Sequence, residues 1–182
     1  MPPLSQRPSP GQKERLSTDR EESSIPMGGK FEGKNWVYPS EQMFFNAMRR
    51  KNWTPQEKDM GVVIPIHNAV NEQCWRQILL WEKLHQTSCA QPKLVKFQGK
   101  PKEYTPKARI RQLMGYTLPF DRHDWTVDRC GTTVEYVIDF YSGAQEGGEG
   151  KASFFLDVRP KMSVEGVVDR FRMWWSTGTG LW

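Results

Sequence analysis

Only three histidines occur in this 182-residue chain, and one of them, His67, stands where an apolar run turns polar. The stretch "VVIPIHNAVNEQCW" sets an imidazole, two asparagines, a glutamate and a cysteine within eight residues. Two chemistries suit an imidazole there. Local patterning favours a buried, hydrogen-bonded core histidine, because no second histidine sits at metal-ligand spacing. The alternative is an axial ligand to haem iron, for which a single protein imidazole is enough. Glu72 follows within the first turn of the helix the pattern predicts. Its carboxylate either complements the positive helix end or holds the other N–H of the imidazole, as carboxylates behind metal-binding histidines do. His123, in "PFDRHDW", is flanked by Asp121, Arg122, Asp124 and Trp125. It reads first as part of a charged structural loop and second as a proton-handling or ligand-binding group. His85 closes an amphipathic helix and suits its negative end.

Other chemistries lack their residues. Cys74, Cys89 and Cys130 form no Cys-x-x-Cys pair and leave one over, so a disulfide framework is not expected. His85 and Cys89 lie four apart, but no second pair completes a zinc site. A Gly-rich phosphate loop, a Gly-x-Ser-x-Gly elbow and a His-Glu-x-x-His helix are all missing. Aromatic residues make up 12% of the chain and include eight tryptophans. Trp36 and Tyr38 stand in a polar context and are candidates for the wall of a flat-ligand site. Trp174 and Trp175 fall on a helical apolar stripe and read as core.

The formal charge is +5, and most of the excess lies in "PKLVKFQGKPKEYTPKARIRQ", residues 92 to 112. Such a strip meets phosphates, anionic lipid or ligand carboxylates, or is simply a solvated face. No run of 18 apolar residues predicts a membrane span. The opening residues have no apolar signal core, and Glu14, Asp19, Glu21 and Glu22 argue against a presequence.

The elements that would position these residues follow from period and punctuation. Residues 1–30 are polar and Pro/Ser-rich and read as a disordered tail, with a single domain over 31–182. Ser40 caps a helix over 41 to 50 whose Met43, Phe44, Ala47 and Met48 share a face. "GVVIPIHN" reads as extended, because Pro65 interrupts it. A helix over 69 to 86 follows, capped by Asn68 or Asn71, with Cys74, Trp75, Ile78, Leu79, Trp81 and Leu84 apolar. The basic strip is a loop until Thr105 caps a third helix with Pro106 in its first turn and Gly115 after its end. "WTVDR" and "TTVEYVIDFY" pair as strands across Cys130-Gly131, "SGAQEGGEG" connects, and "KASFFLDVRP" is a third strand. Ser163 opens the last helix. The fold class is α+β: helices around a small antiparallel β-meander, with a disordered N-terminal tail.

Longer strings carry more. "NWVYPSEQMFFNAM", "IHNAVNEQCW", "LWEKLH", "KFQGKPKEYTPKARIRQLMGYTLPFDRHDW", "DRCGTTVEYVIDFY" and "FLDVRP" together resemble the cytochrome c haem lyases, or holocytochrome c synthases, over about residues 35 to 175 in consistent order. The resemblance implies an enzyme of the mitochondrial intermembrane space, held peripherally on the inner membrane. Such an enzyme attaches haem b to apocytochrome c by thioether bonds between haem vinyl groups and the cysteines of a Cys-x-x-Cys-His motif. In that family the histidine of the "IHN" motif is the axial iron ligand, here His67, and the acid of "NEQ", here Glu72, is functionally sensitive. The "FDRHDW" and "RCGT" segments carry over as His123 and Arg129. On this reading Lys102 and Arg109 are cations for the haem propionates, with anionic lipid as a rival partner for the strip. The three cysteines are bystanders, since the reacting thiols belong to the substrate. A haem-binding chaperone or sensor that forms no covalent bond is the alternative. No nucleic-acid partner is expected, because no recognition signature accompanies the basic strip.

Overall fold

In a computed structural model of the chain, the described residues are 5–143 and 154–179. Most of the expected connector and the first residues of the expected third strand lie outside them. The described residues form two compact units, one within Met1–Pro26 and Lys34–Gln73, the other within Met27–Gly33 and Cys74–Trp182.

The first unit is built on a two-stranded antiparallel pair, β1 (Glu22–Pro26) and β2 (Asn35–Val37), followed by helix α1 (Glu41–Arg50). Helix α2 (Met60–Glu82) starts here and continues into the second unit. Ser40 caps α1 as its position predicts, its hydroxyl accepting from the amide of Met43 at 3.2 Å. The expected disordered tail is corrected from residue 5 onward. Leu16 is buried with Phe45 and Met60 in the small core of this unit, against Phe44, Met48 and Val63. Backbone carbonyls of Ser5 and Arg7 accept from the Asn46 amide, both at 2.9 Å, and Gln12 and Gln42 exchange side-chain hydrogen bonds. The physical reason is that this segment orders through polar bonds to α1, which composition alone does not register. It also explains why Gln42 and Phe45, rather than the predicted stripe, are the buried residues of α1.

Residues 61–68, expected as extended, are helical. Pro65 gives up one backbone bond, to the carbonyl of Gly61, near the start of α2, while the φ its ring imposes is itself helical. Neither Asn68 nor Asn71 caps; both lie within the helix.

The second unit holds a four-stranded antiparallel sheet in the order β3 (Lys93–Gly99), β4 (Asp121–Arg129), β5 (Thr132–Ser142), β6 (Phe154–Pro160). β4 and β5 are the predicted hairpin. Cys130 and Gly131 both take positive φ, 47° and 96°, as a two-residue turn between twisted strands requires. β3 occupies part of the strip expected as loop. It is an edge strand whose lysines and exposed residues weaken the alternation signal. β5 is covered on both faces. Tyr136 and Ile138 on one side and Asp139 on the other are fully buried. The end of α2 meets one face, where Trp81 donates its indole N–H to the Val158 carbonyl at 2.8 Å. Helix α3 (Pro106–Leu113) covers the other, where the Thr105 hydroxyl that caps it reaches Asp139 at 3.1 Å.

Helix α4 (Val164–Thr177) packs on β6 and on a 3₁₀ turn, Lys83–His85, that follows α2. Ser163 caps it as predicted. Trp174 and Trp175, expected in the core, are exposed. The helix turns Gly166 and Asp169 inward instead, because polar bonds rather than apolar burial set its rotation. The cysteine reading is corrected as well: Cys89 and Cys130 form a disulfide with Cα atoms 5.6 Å apart, and Cys74 alone is free and buried. An odd count does not prevent one pair from forming when β-sheet topology brings residues 41 apart together.

Candidate functional site

In the first unit, α2 presents His67 half-buried between turns that expose Val62, Pro65 and Ile66. The Phe44 ring of α1 meets the imidazole edge-on, centroids 5.0 Å apart at 65°. One helical turn on, the Asn71 amide nitrogen lies 3.2 Å from His67 Nδ1 and donates to the His67 carbonyl at 2.9 Å. The imidazole is thus packed on one face and oriented at one nitrogen, on a helix rather than on a loop.

Neither of the two roles left open for Glu72, serving the helix end or orienting the imidazole, fits its place in the middle of α2. Five positions on an α-helix turn through about 140° beyond a full circle, so Glu72 points away from His67, whereas Asn71 at four positions lies over it. Glu72 instead gathers the strand pair. Its Oε1 accepts from the Ser23 hydroxyl at 2.6 Å, the Ser24 amide at 3.1 Å and the Tyr38 hydroxyl at 2.9 Å, while Oε2 accepts from the Ser24 hydroxyl. Burial pushes the carboxyl pKa up, but these donors outweigh it and hold the group below the usual carboxylate range. Tyr38 is buried, and burial together with the Glu72 charge raises its hydroxyl pKa well above that of a free phenol. It is a bracket for Glu72 and not a ligand wall. Trp36, on β2, remains half-buried.

In the second unit the remaining candidates occupy three places. His123, on β4, lies 3.2 Å by Nε2 from Asp121, meets the Phe140 ring edge-on at 5.1 Å, and faces Gly99 across the strand pair. Beside it Arg122 grips Asp124 through two bonds of 2.9 and 3.0 Å, and Lys100 joins the same carboxylate at 3.1 Å. The basic strip is thereby partly consumed: Lys93 pairs with Glu32, Lys100 with Asp124 and Lys107 with Asp157. Lys102 and Arg109 stay exposed. A groove of about 520 Å³ beside α3 is lined by Lys107, Ile110, Arg111, Met114 and Tyr116, with the Arg111 guanidinium 5.0 Å from the Tyr116 ring.

Arg129, at the end of β4, is engaged by carboxylates of the chain itself. It is buried, and its guanidinium binds Glu82 at 2.7 and 3.0 Å, Glu165 at 2.5 Å and Asp169 at 3.5 Å. Tyr136 donates to Glu82 at 2.5 Å, and His85 lies 2.8 Å from Asp169. Desolvation opposes the Arg129 charge, yet Glu82 and Asp169 raise its pKa above the ordinary guanidinium value. His85, Glu165 and Asp169 come close enough to hold a metal ion, but both acids are already engaged by Arg129. His85 also departs from its expected role: it ties the end of α2 to α4 rather than serving a helix dipole.

The thiols are equally informative. Burial pushes the Cys74 pKa up to about 12, and the other two cysteines are joined to each other. The chain therefore offers no thiolate nucleophile.

Asn71 as the partner of His67, and the cluster that Glu82, Arg129 and Asp169 form, were not foreseen from sequence. Asn71 carried a usable signal, its spacing of four from His67; the cluster is assembled across long separations and carried none.

Residues 1–174 match the model of a family described as cytochrome c/c1 heme lyase. The Bos taurus holocytochrome c-type synthase is 53% identical over 183 residues, covering 96% of this chain and 66% of that protein. The Gallus gallus protein of the same name is 55% identical over 185 residues, with the same coverage of both. The Saccharomyces cerevisiae holocytochrome-c synthase is 40% identical over 195 residues, covering 93% of this chain and 72% of that protein. The chain thus spans about two thirds of the length of the vertebrate relatives it matches. No solved structure matches it.

Proposed function

This chain belongs to the cytochrome c/c1 haem lyase family, and from that premise we propose that it joins haem covalently to apocytochrome c. Haem b and the apoprotein are both substrates. Each cysteine of the substrate's Cys-x-x-Cys-His motif adds S–H across a haem vinyl group: sulfur bonds to the vinyl carbon next to the ring, hydrogen goes to the terminal carbon, and nothing leaves. The reaction needs thiol, vinyl and iron held in one geometry, so positioning is the main service the protein can render.

The observation that carries the reading is the setting of His67. It is half-buried on a helix, packed by Phe44, oriented by Asn71 and bordered by exposed apolar side chains, which fits an imidazole that binds iron on the face of a flat apolar substrate. Its role is axial ligation on one side of the iron, with the substrate's histidine on the other. Glu72 acts at one remove, tying α2 to β1 and Tyr38. The unreactive state of the three enzyme cysteines supports a reaction whose thiols all come from the substrate. The reading includes a place in the mitochondrial intermembrane space, in peripheral contact with the inner membrane. The Cys89–Cys130 disulfide is in keeping with an oxidising compartment.

The test is co-expression with apocytochrome c in cells that lack another maturation system, followed by acid–acetone extraction. Haem that stays with the cytochrome, and is lost in a folded His67→Ala variant, is the expected result. Haem that is extractable throughout would replace the reading with that of a non-covalent haem carrier.

A further inference from the structure

Helix α4 is amphipathic the wrong way round for a helix packed on a core. Its apolar stripe, Val164, Val167, Val168, Phe171, Trp174 and Trp175, has helical spacing and should face inward. All six are exposed, Val164 by 87%, Phe171 by 53% and Trp175 by 78%. The inward side holds Gly166 and Asp169. Asp169 takes His85 and Arg129, and Glu165 takes Arg129 from the adjoining position. Gly166 fixes the approach, since a Cβ there would lie 2.1 Å from the Lys161 carbonyl oxygen. Rolling the stripe inward would strip Arg129 of two carboxylates, so the outward orientation is held by the fold itself.

We propose that this face lies in the plane of an anionic phospholipid surface, with its aromatic end inserted among the acyl chains. The proposal rests on the membrane contact included in the functional reading above and names the surface that makes it. The three aromatic rings form one exposed cluster, with centroids 5.8 to 6.4 Å apart, and large rings at a helix face are suited to the boundary between headgroup and hydrocarbon. The charged residues beside the aromatic end of the stripe, Arg170 and Arg172, are basic. Arg172 is exposed and Arg170 donates to an uncharged partner, the Pro160 carbonyl, whereas the helix's acids, Glu165 and Asp169, are both engaged by Arg129. A helical partner is less well served. Glu165 is engaged by Arg129, and the other charges flanking the stripe, Arg170 and Arg172, are of one sign, so a second copy would bring like charges together in place of the complementary pairs that set helix pairing.

Flotation of the full chain with mixed phosphatidylcholine and phosphatidylglycerol vesicles tests this, with quenching of tryptophan fluorescence by brominated acyl chains as a second readout. We expect the combined variant Phe171→Ser, Trp174→Ser, Trp175→Ser to partition at least about tenfold more weakly and to lose most of the quenching. Arg172→Glu, which leaves the stripe intact, should weaken binding to these vesicles and leave neutral vesicles unaffected. A folded triple variant that floats and quenches like the parent overturns the inference while sparing the membrane contact. A parent chain that ignores anionic vesicles overturns both. A lipid-free parent that sediments as a dimer, with the triple variant a monomer, shows a second copy on this face and also overturns it. None of these readouts depends on haem attachment, so they are separable from the catalytic reading.

Discussion

At the scale of single residues, Asn71 decides the proton on His67. As placed, its amide donates toward Nδ1, which leaves the imidazole proton on Nε2. On the proposed function an iron bond at Nε2 would need the other tautomer, which Asn71 would support by giving up its bond to the His67 carbonyl and turning its oxygen to the ring. On the proposed function, Asn71→Leu should weaken haem binding about tenfold, within the usual range for partners behind a metal ligand, and Asn71→Asp should preserve it. Soret titration of the purified variants measures both. Glu72 makes a separate prediction. Its folded pKa is depressed, so the stability it contributes is present above the unfolded carboxylate pKa of about 4.3 and is lost as pH falls through the lower folded value. Glu72→Gln should therefore melt below the parent at neutral pH, and the two curves should converge in acid. Sequence pointed to Glu72 as a partner of His67 because adjacency in a motif was read as adjacency in space. The angular step of the helix separates them.

At the scale of elements, what could be read early was what is locally determined. Ser40, Thr105 and Ser163 each cap a helix through a hydroxyl three residues from its target, and Cys130-Gly131 makes its own turn. What could not be read depends on distant partners. β1 is a strand because β2 and Glu72 meet it, β3 because β4 pairs with it, and the inward side of α4 is chosen by Arg129, far away in sequence. Pro65 misled in the opposite sense, as a breaker tolerated where the helix has little to lose. The buried cluster around Arg129 gives the element-scale prediction. Arg129→Met leaves Glu82 without its counter-charge and should cost about 3–5 kcal/mol, whereas the double variant Arg129→Met, Glu82→Met should recover much of that loss. Urea unfolding of the two proteins, followed by far-ultraviolet circular dichroism, provides the comparison.

At the scale of the whole molecule, composition misjudged two things. A tail polar enough to read as disordered is ordered by hydrogen bonds from residue 5 on, and an odd cysteine count concealed a disulfide. Closing a 41-residue separation should stabilise the second unit by about 4 kcal/mol on the chain-entropy account. Reductant, or Cys89→Ser with Cys130→Ser, is expected to lower the melting temperature without altering the first unit, as seen by hydrogen exchange of the β1 and β2 amides. The reading of the three cysteines as bystanders concerns bond formation alone; for stability, Cys89 and Cys130 matter.

The locked and buried state of those cysteines has a practical consequence for assay. A folded chain with Cys74 sealed in the interior and the other two sulfurs joined is silent to a maleimide dye. In a mixture with apocytochrome c, every labelled thiol then belongs to the acceptor. On the proposed function, the fall in dye incorporation would count sulfurs consumed in real time, from two per acceptor through one to none, and an intermediate bearing a single thioether would become visible by mass without any haem extraction.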